Sequence, residues 1–160
     1  MPPSFALPAF YSLFFLVIEP ISTLVGAYFA HFQPATYLTL TTPLSPSEGE
    51  LPQSTVIVLT QLANLYLLFA LNEAVVLRST SDLRVWKTVL LGFLIADFGH
   101  LYSVNALGFD VYWNVLEWNA MAWGNVGFVY AGACTRICFL AGVGLGTERG
   151  RNIAARKMKA

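Results

Sequence analysis

Charged residues are scarce in this chain. Asp, Glu, Lys and Arg make up only 11% of its 160 residues, whereas 56% of the residues are hydrophobic. A water-soluble domain of this length needs more polar side chains to cover its surface. The composition therefore argues against a soluble globular protein and predicts one small domain embedded in a membrane.

Basic residues are absent before Arg78, and the chain has only two Cys and two His. The long apolar N-terminus without a basic flank is unlike a secretory signal, so we expect its helix to be kept. Cys134 and Cys138 lie four residues apart on one predicted helix, and they are expected to be small packing residues. Because neither clustered metal ligands nor a nucleotide-binding glycine loop occurs, we expect no metal, no cofactor and no nucleic acid partner.

Long apolar runs, by contrast, occur four times. Each reaches the roughly 20 residues that a helix needs to cross about 30 Å of hydrocarbon. The sequence therefore predicts an all-α fold, an integral membrane four-helix bundle made by residues 1–160 as one transmembrane domain. The expected helices are about 5–30, 55–77, 85–104 and 121–145, followed by a basic tail at 146–160.

The basic residues are distributed asymmetrically. Arg78, Arg84 and Lys87 lie between the second and third predicted helices, and five more basic residues follow the fourth. The positive-inside rule therefore places both termini in the cytosol, and the expected location is the endoplasmic reticulum. Two loops then face the lumen. The proline-rich loop 32–54 is expected to be an irregular lid or a linker. The aromatic loop 105–120 is expected to be a headgroup anchor or a cap over a pocket.

Ionisable residues inside the predicted spans are the strongest functional signal. Asp97 and His100 lie one turn apart on one helix face, and Glu19 lies beside Pro20, which frees the carbonyl of Leu16 and predicts a kink. An Asp at the centre of a span costs about 2.5–3.5 kcal/mol, so it needs a partner or a polar cavity. The alternative is a polar cluster that only joins helices.

Depth along the helices predicts two separate groups of polar residues. Glu73 and Arg136 lie toward the cytosolic side and are expected to form an ion pair. The pair is expected to be a structural lock, with a substrate-binding or catalytic role for Glu73 as the alternative. The residues expected in the central-to-lumenal half are Glu19, Asp97, His100, Gln61, Asn64 and Asn125. On the fourth helix, a stripe of small residues predicts close helix packing. Its members are Gly124, Gly127, Ala131, Cys134, Cys138 and Gly142.

A buried carboxyl group stays protonated near neutrality and so becomes a usable general acid. Such an acid suits a hydrophobic substrate that reacts on protonation, for example an epoxide or an isolated double bond. We expect a hydrophobic small-molecule substrate held by polar and aromatic side chains within the lipid bilayer. The sequence does not fix the oligomeric state. The candidate substrate contacts are Gln61, Asn64, Asn125, Tyr102 and Trp123, with Phe15, Tyr66, Phe98 and Phe128 as further aromatics.

Three segments, 61–74, 96–103 and 123–130, resemble a fungal family of small four-helix membrane proteins. That family includes membrane-bound terpene cyclases of ascofuranone-type pathways and epoxide-opening enzymes of aurovertin- and citreoviridin-type pathways. The resemblance covers all four helices and implies acid-promoted epoxide opening, followed by capture by an internal hydroxyl or alkene, or by water, in secondary metabolite biosynthesis. It does not assign the catalytic residues.

Burial and depth alone suggest the catalytic roles. Protonated Asp97, oriented by His100, would donate a proton to the epoxide oxygen, and Glu19 across the cavity would accept one from the attacking group. Two other functions remain open at this stage. One is a sterol or lipid double-bond isomerase, which needs one acid over a flat apolar slot, and the other is a non-catalytic lipid-binding or assembly protein, which needs no cavity.

Overall fold

The computed structural model describes residues 5–42 and 51–147, and this part of the chain is almost entirely helical. The helices are α1 (Ala9–Phe32), α2 (Pro34–Thr41), α3 (Gln53–Ser79), α4 (Leu83–Ser103) and α5 (120–140). Short 3-10 turns at Val104–Leu107, Phe109–Tyr112 and Val115–Glu117 connect α4 to α5. A two-residue antiparallel pairing of Phe5–Ala6 with Gly146–Thr147 joins the two ends of the described chain. The predicted all-α fold class is thus confirmed.

Proline and short polar side chains set where the helices begin. Pro8 and Pro52 precede α1 and α3, and Pro34 opens α2, because a proline nitrogen has no N–H that needs a helical partner. Asp82 Oδ1 accepts a hydrogen bond from the backbone N–H of Arg84 at 2.7 Å and so caps α4. Asn119 caps α5 in the same way.

Three helices are long and apolar enough to cross a membrane. They are Ala9–Phe32, Gln53–Ser79 and Leu83–Leu107, with 24, 27 and 25 residues. α5 contains Asn125, Thr135 and Arg136 and is not among these three. Large apolar side chains cover the outer faces of α1, α3 and α4, and Ile95 on α4 is 66% exposed. Long apolar helices with apolar outer faces are what a membrane protein requires.

The helices pack in two pairs, α1 along α3 and α4 along α5, around two separate cores. The larger core, which we call the aromatic core, lies near the start of α1 and the end of α3. Its members are Tyr11, Phe14, Phe15, Leu77, Trp86, Leu90, Phe93 and Phe139. The smaller core lies near the end of α1 and includes α2. Its members are Ala30, Tyr37, Leu59 and Ala63. The buried charged residues Glu19, Glu73 and Arg136 lie between the two cores.

Helix α1 is interrupted by a π-helical turn at Phe14–Ile18, directly before Glu19 and Pro20. As predicted, Pro20 leaves the carbonyl of Leu16 without its helical donor, and Arg78 Nη2 donates to this oxygen at 2.5 Å. Arg78, at the end of α3, therefore supplies the hydrogen bond that Pro20 removes from α1. Further π turns occur at Asn72–Val76 and Trp123–Phe128.

Two predictions about the connections and the packing are wrong. Part of the proline-rich loop is regular, since residues 34–41 form α2; Pro43 and Pro46 lie outside the described residues, as does all of the basic tail from residue 148 onward. The small-residue stripe does not pack against another helix within the described chain. Ala131 is exposed, as are the free thiols of Cys134 and Cys138, and an added Cβ at Gly124 would meet no atom within 4 Å.

Candidate functional site

Arg136 lies at the centre of a buried cluster that includes three carboxyl groups. Its Nη1 donates to Asp97 Oδ2 at 2.6 Å, and its Nη2 contacts Glu73 Oε1 at 3.4 Å and, more closely, Glu19 Oε1. Arg136, Glu19 and Glu73 are 4%, 5% and 1% exposed. Four helices thus each supply one member of this carboxyl–arginine cluster.

Gly132 makes room for the guanidinium group. Side chains on a helix tilt toward its N-terminus, so Arg136 extends back over the residue one turn earlier on α5. A Cβ atom at position 132 would lie 2.7 Å from Arg136 Nη1 and 3.2 Å from Glu19 Oε1. Because Gly132 has no Cβ, the guanidinium group of Arg136 can lie beside residue 132, one helical turn from the backbone of Arg136.

This geometry corrects the division of the polar residues by depth. The predicted contact between Glu73 and Arg136 is confirmed, but it is the longest of the three contacts that Arg136 makes. Glu19 and Asp97, expected in a separate group nearer the lumenal side, are the closer partners of the same guanidinium. The two predicted groups form one cluster, and Glu19 does not stand across a cavity from Asp97.

The cluster contains more acid groups than one arginine neutralises. Aromatic rings close it on one side, with the Arg136 Cζ atom 5.5 Å from the ring centre of Phe93 and 6.0 Å from that of Phe15. Three ionised carboxylates beside one guanidinium would leave an uncompensated double negative charge here, and each buried ion costs several kcal/mol. The cluster must therefore hold protons. Among the described residues, no group of His, Cys, Asp or Glu side chains has the arrangement of a metal site.

A cavity of about 310 Å³ extends from the cluster toward α2 and the start of α5. Its volume lies at the lower end of the range for small-molecule sites, about 300–1,000 Å³. Charged and polar groups line one end of it, and its walls are mainly apolar. The wall residues include Val25, Phe29, Phe69, Phe93, Ala96, Leu40, Met121, Phe128 and Val129. The cavity is thus suited to a mainly apolar ligand whose polar end meets the cluster.

Five of the predicted site residues line this cavity, namely Glu19, Glu73, Asp97, His100 and Asn125. The other four predicted substrate contacts do not reach it. Gln61 and Asn64 on α3 are exposed, Tyr102 is 79% exposed and Trp123 is 53% exposed. For Gln61 and Asn64 the reason is helical phase, because the inner face of α3 carries the buried positions 59, 63, 70, 73 and 77.

His100 does not orient Asp97, although the two residues are one turn apart. Its ring hydrogen-bonds the backbone of Asn125 on α5. The other ring nitrogen, Nε2, is buried and has no partner among the described residues. An unpartnered buried nitrogen beside a cavity is available to a ligand, since burial without a hydrogen bond is unfavourable.

The end of the cavity opposite the cluster contains a pair of tyrosines. The hydroxyl groups of Tyr37 on α2 and Tyr66 on α3 lie 3.1 Å apart, and both residues line the cavity. The Tyr66 ring packs on Gly26 of α1, where an added Cβ would lie 3.3 Å from the ring. Sequence reasoning missed Tyr37, Gly26 and Gly132, although seven-residue spacing from Glu19 to Gly26 and from Tyr66 to Glu73 is a signal for a shared face.

The fold and the site define a class: an all-helical protein with membrane-length helices around a cavity that ends in a buried carboxyl–arginine cluster. A family model described as a domain of unknown function (DUF7704) matches residues 4–146. The chain therefore belongs to this family. No curated protein and no solved structure gives a significant match.

Proposed function

We propose that this protein is a membrane enzyme that opens an epoxide of a hydrophobic meroterpenoid or polyketide by acid catalysis, with cyclisation or hydrolysis. The observation that carries the proposal is the position of the carboxyl–arginine cluster, with its excess of acid groups, at one end of a mainly apolar cavity. Epoxides react when their oxygen is protonated, and an apolar cavity suits their carbon skeleton.

The geometry revises the roles of the acid groups. Glu19 makes the closest contact with Arg136, so these two form the ionised pair of the resting enzyme. Asp97 and Glu73 are then neutral acids, and Asp97, whose side chain is 14% exposed against 1% for Glu73, is the more accessible of the two to a ligand. Arg136 Nη1 already donates to Asp97 Oδ2, so it stabilises the carboxylate that remains after Asp97 has given up its proton. Glu73 keeps its proton and so leaves Glu19 and Arg136 as the ionised pair.

His100 takes the role of the base. With Nδ1–H directed to the backbone carbonyl of Asn125, its Nε2 carries the free electron pair. In the proposed reaction the proton of Asp97 moves to the epoxide oxygen and one carbon–oxygen bond breaks. A hydroxyl group or water attacks the released carbon and passes its proton to Nε2. Transfer of that proton from His100 to Asp97 restores the enzyme, and no cofactor is consumed.

In the same proposal the four long helices form an integral bundle in the endoplasmic reticulum membrane with both termini in the cytosol. Arg78, Arg84 and Lys87 lie at the end of the helices where the aromatic core is found, and α2 lies at the other end. The positive-inside rule then places α2 and the cavity mouth toward the lumen. Substrate enters laterally from the bilayer or beneath α2.

The test is turnover by the full chain in microsomes. The probe is a terminal epoxide on an unbranched alkyl chain with an internal hydroxyl group, and the product is measured by mass spectrometry. We expect Asp97→Asn to lower the rate at least about 100-fold, the usual minimum for losing a general acid. Asp110→Asn is the matched control, because Asp110 is exposed on the 3-10 turn Phe109–Tyr112, outside the cavity.

Two results would reject the proposal: no epoxide opening by the wild-type chain, or an Asp97→Asn variant as active as the Asp110→Asn control. A sterol with a movable double bond, offered to the same microsomes, tests the isomerase alternative. Saturable binding of both probes without turnover would instead indicate a lipid-binding protein.

A further inference from the structure

The tyrosine pair at the distal end of the cavity has an unused hydrogen. A tyrosine hydroxyl has one hydrogen to donate and two lone pairs to accept with. The bond between Tyr37 and Tyr66, 3.1 Å long, uses one of their two hydrogens, and neither hydroxyl has a second partner among the described residues. The remaining hydrogen is available to a ligand in the cavity, which both residues line.

Two contacts hold the pair in place. Gly26 lets the Tyr66 ring lie flat against α1. Asn119 Nδ2 donates to the backbone carbonyl of Leu40 at 2.8 Å, which ties α2 to the start of α5 and fixes Tyr37 over the cavity. Tyr37 is only 7% exposed. A fixed pair of hydroxyl groups is a preorganised contact, so a ligand loses little conformational entropy in using it.

Helical geometry sets the scale of the separation between the pair and the cluster. Tyr66 and Glu73 lie on the same face of α3, two turns apart, which corresponds to about 10 Å along the helix axis. Glu19 and Gly26 have the same spacing on α1, which packs along α3. The cavity walls between the two ends are mainly apolar, with Ser22 and Thr23 of α1 as polar members.

We propose that the Tyr37–Tyr66 pair binds an oxygen atom at the far end of the substrate, which is therefore an amphiphile with two oxygen-bearing groups about 10 Å apart. The inference rests on the proposed function, because it assigns the reacting oxygen to the cluster. The distal group is a hydroxyl, carbonyl or ether oxygen that accepts the spare tyrosine hydrogen. The pair thus selects the substrate by its length and by the position of its second oxygen.

The experiment compares two terminal epoxides on unbranched alkyl chains of equal length, one ending in a hydroxyl group and the other in a methyl group. For the wild-type protein we expect KM to be about fivefold to tenfold lower for the hydroxyl-ended epoxide, the effect of one hydrogen bond. The double variant Tyr37→Phe/Tyr66→Phe should lose this preference, with the KM for the hydroxyl-ended epoxide rising to that for the methyl-ended epoxide. Tyr28→Phe, on a half-exposed ring outside the cavity, is the matched control.

A binding measurement separates this inference from the proposed reaction. An alkanediol with a hydroxyl group at each end and the alkanol of the same length are titrated into protein in detergent micelles. Tighter binding of the diol that disappears in the double variant supports the distal site even if no epoxide is opened. Equal KM values for the two epoxides in an active wild-type protein, or equal binding of diol and alkanol, would overturn the inference and leave the acid chemistry standing.

Discussion

Removing the arginine should destabilise the protein far more than removing one of its acids. In Arg136→Gln, three carboxyl groups lose their common cation while Glu19, 5% exposed, stays buried. Breaking a buried ion pair by removing one partner costs about 3–5 kcal/mol. In Glu73→Gln, a neutral acid is replaced by an amide of the same shape, and the lost contact is the long one of 3.4 Å. We expect this loss to be within about 1 kcal/mol.

The magnitudes follow from the number of partners. Glu73→Gln leaves Arg136 with Glu19 and Asp97, so no charge is stranded. By contrast, the double variant Arg136→Gln/Glu19→Gln removes both members of the ionised pair and should recover part of the loss of Arg136→Gln. Isolated pairing of Glu73 with Arg136 would predict a different pattern, in which Glu73→Gln is as harmful as Arg136→Gln.

The assay is reversible unfolding of purified protein in detergent micelles at neutral pH, followed by fluorescence of the four Trp residues. Glu117→Gln is the matched control, since Glu117 is exposed on a 3-10 turn. If Glu73→Gln and Arg136→Gln lowered the free energy of unfolding equally, Glu73 would be ionised in the folded protein, and our count of protons in the cluster would be refuted.

Three further predictions concern the backbone and the topology. Gly132→Ala should be less stable than Gly99→Ala by about 1–3 kcal/mol in the same unfolding assay, because a Cβ at position 132 would meet Arg136 whereas one at position 99 meets nothing within 4 Å; equal stabilities would contradict the close approach at Gly132. Arg78→Gln should cost about 1–3 kcal/mol in the wild-type chain and less in a Pro20→Ala chain, where residue 20 regains an N–H for the Leu16 carbonyl; additive losses would count against this link. After Cys134 and Cys138 are changed to Ala, an impermeant thiol reagent added outside sealed microsomes should label Ser81→Cys and not Leu116→Cys, and the reverse labelling would invert the proposed orientation.

Much of the helical fold could be predicted from the apolar runs alone. The predicted bounds of the second helix, 55–77, lie within two residues of Gln53–Ser79, and those of the third, 85–104, lie within three residues of Leu83–Leu107. The most distant error is at the end of the fourth helix, predicted at 145, because α5 ends at residue 140. Gly142 and Gly144 follow it with φ of 82° and 71°, a conformation that ends a helix and favours glycine.

The partners of the charged residues were harder to predict. The sequence gives the position of each residue along its own helix, but not how far one helix is shifted along its neighbour. It also does not give the reach of a long side chain, and Arg136 gains a turn of depth through Gly132. Asp97 and His100 face the cavity as predicted, because their helix is regular, whereas helical phase excludes Gln61 and Asn64 from the cavity face predicted for them.

The π turns have a consequence for how this chain tolerates insertions and deletions. A π turn holds one residue more than an α turn, so the residues on one side of it are displaced by about 100° from the face that an uninterrupted α-helix would give them. Deleting one residue from Phe14–Ile18 would let that turn close as an ordinary α turn without breaking the helix. Because the α turn would take the place of the π turn, Tyr11 would keep its orientation relative to Glu19. The chain can therefore lose a residue there and keep its aromatic core and its charged cluster on the same side of α1, whereas an α turn formed without that deletion would rotate one relative to the other by about 100°.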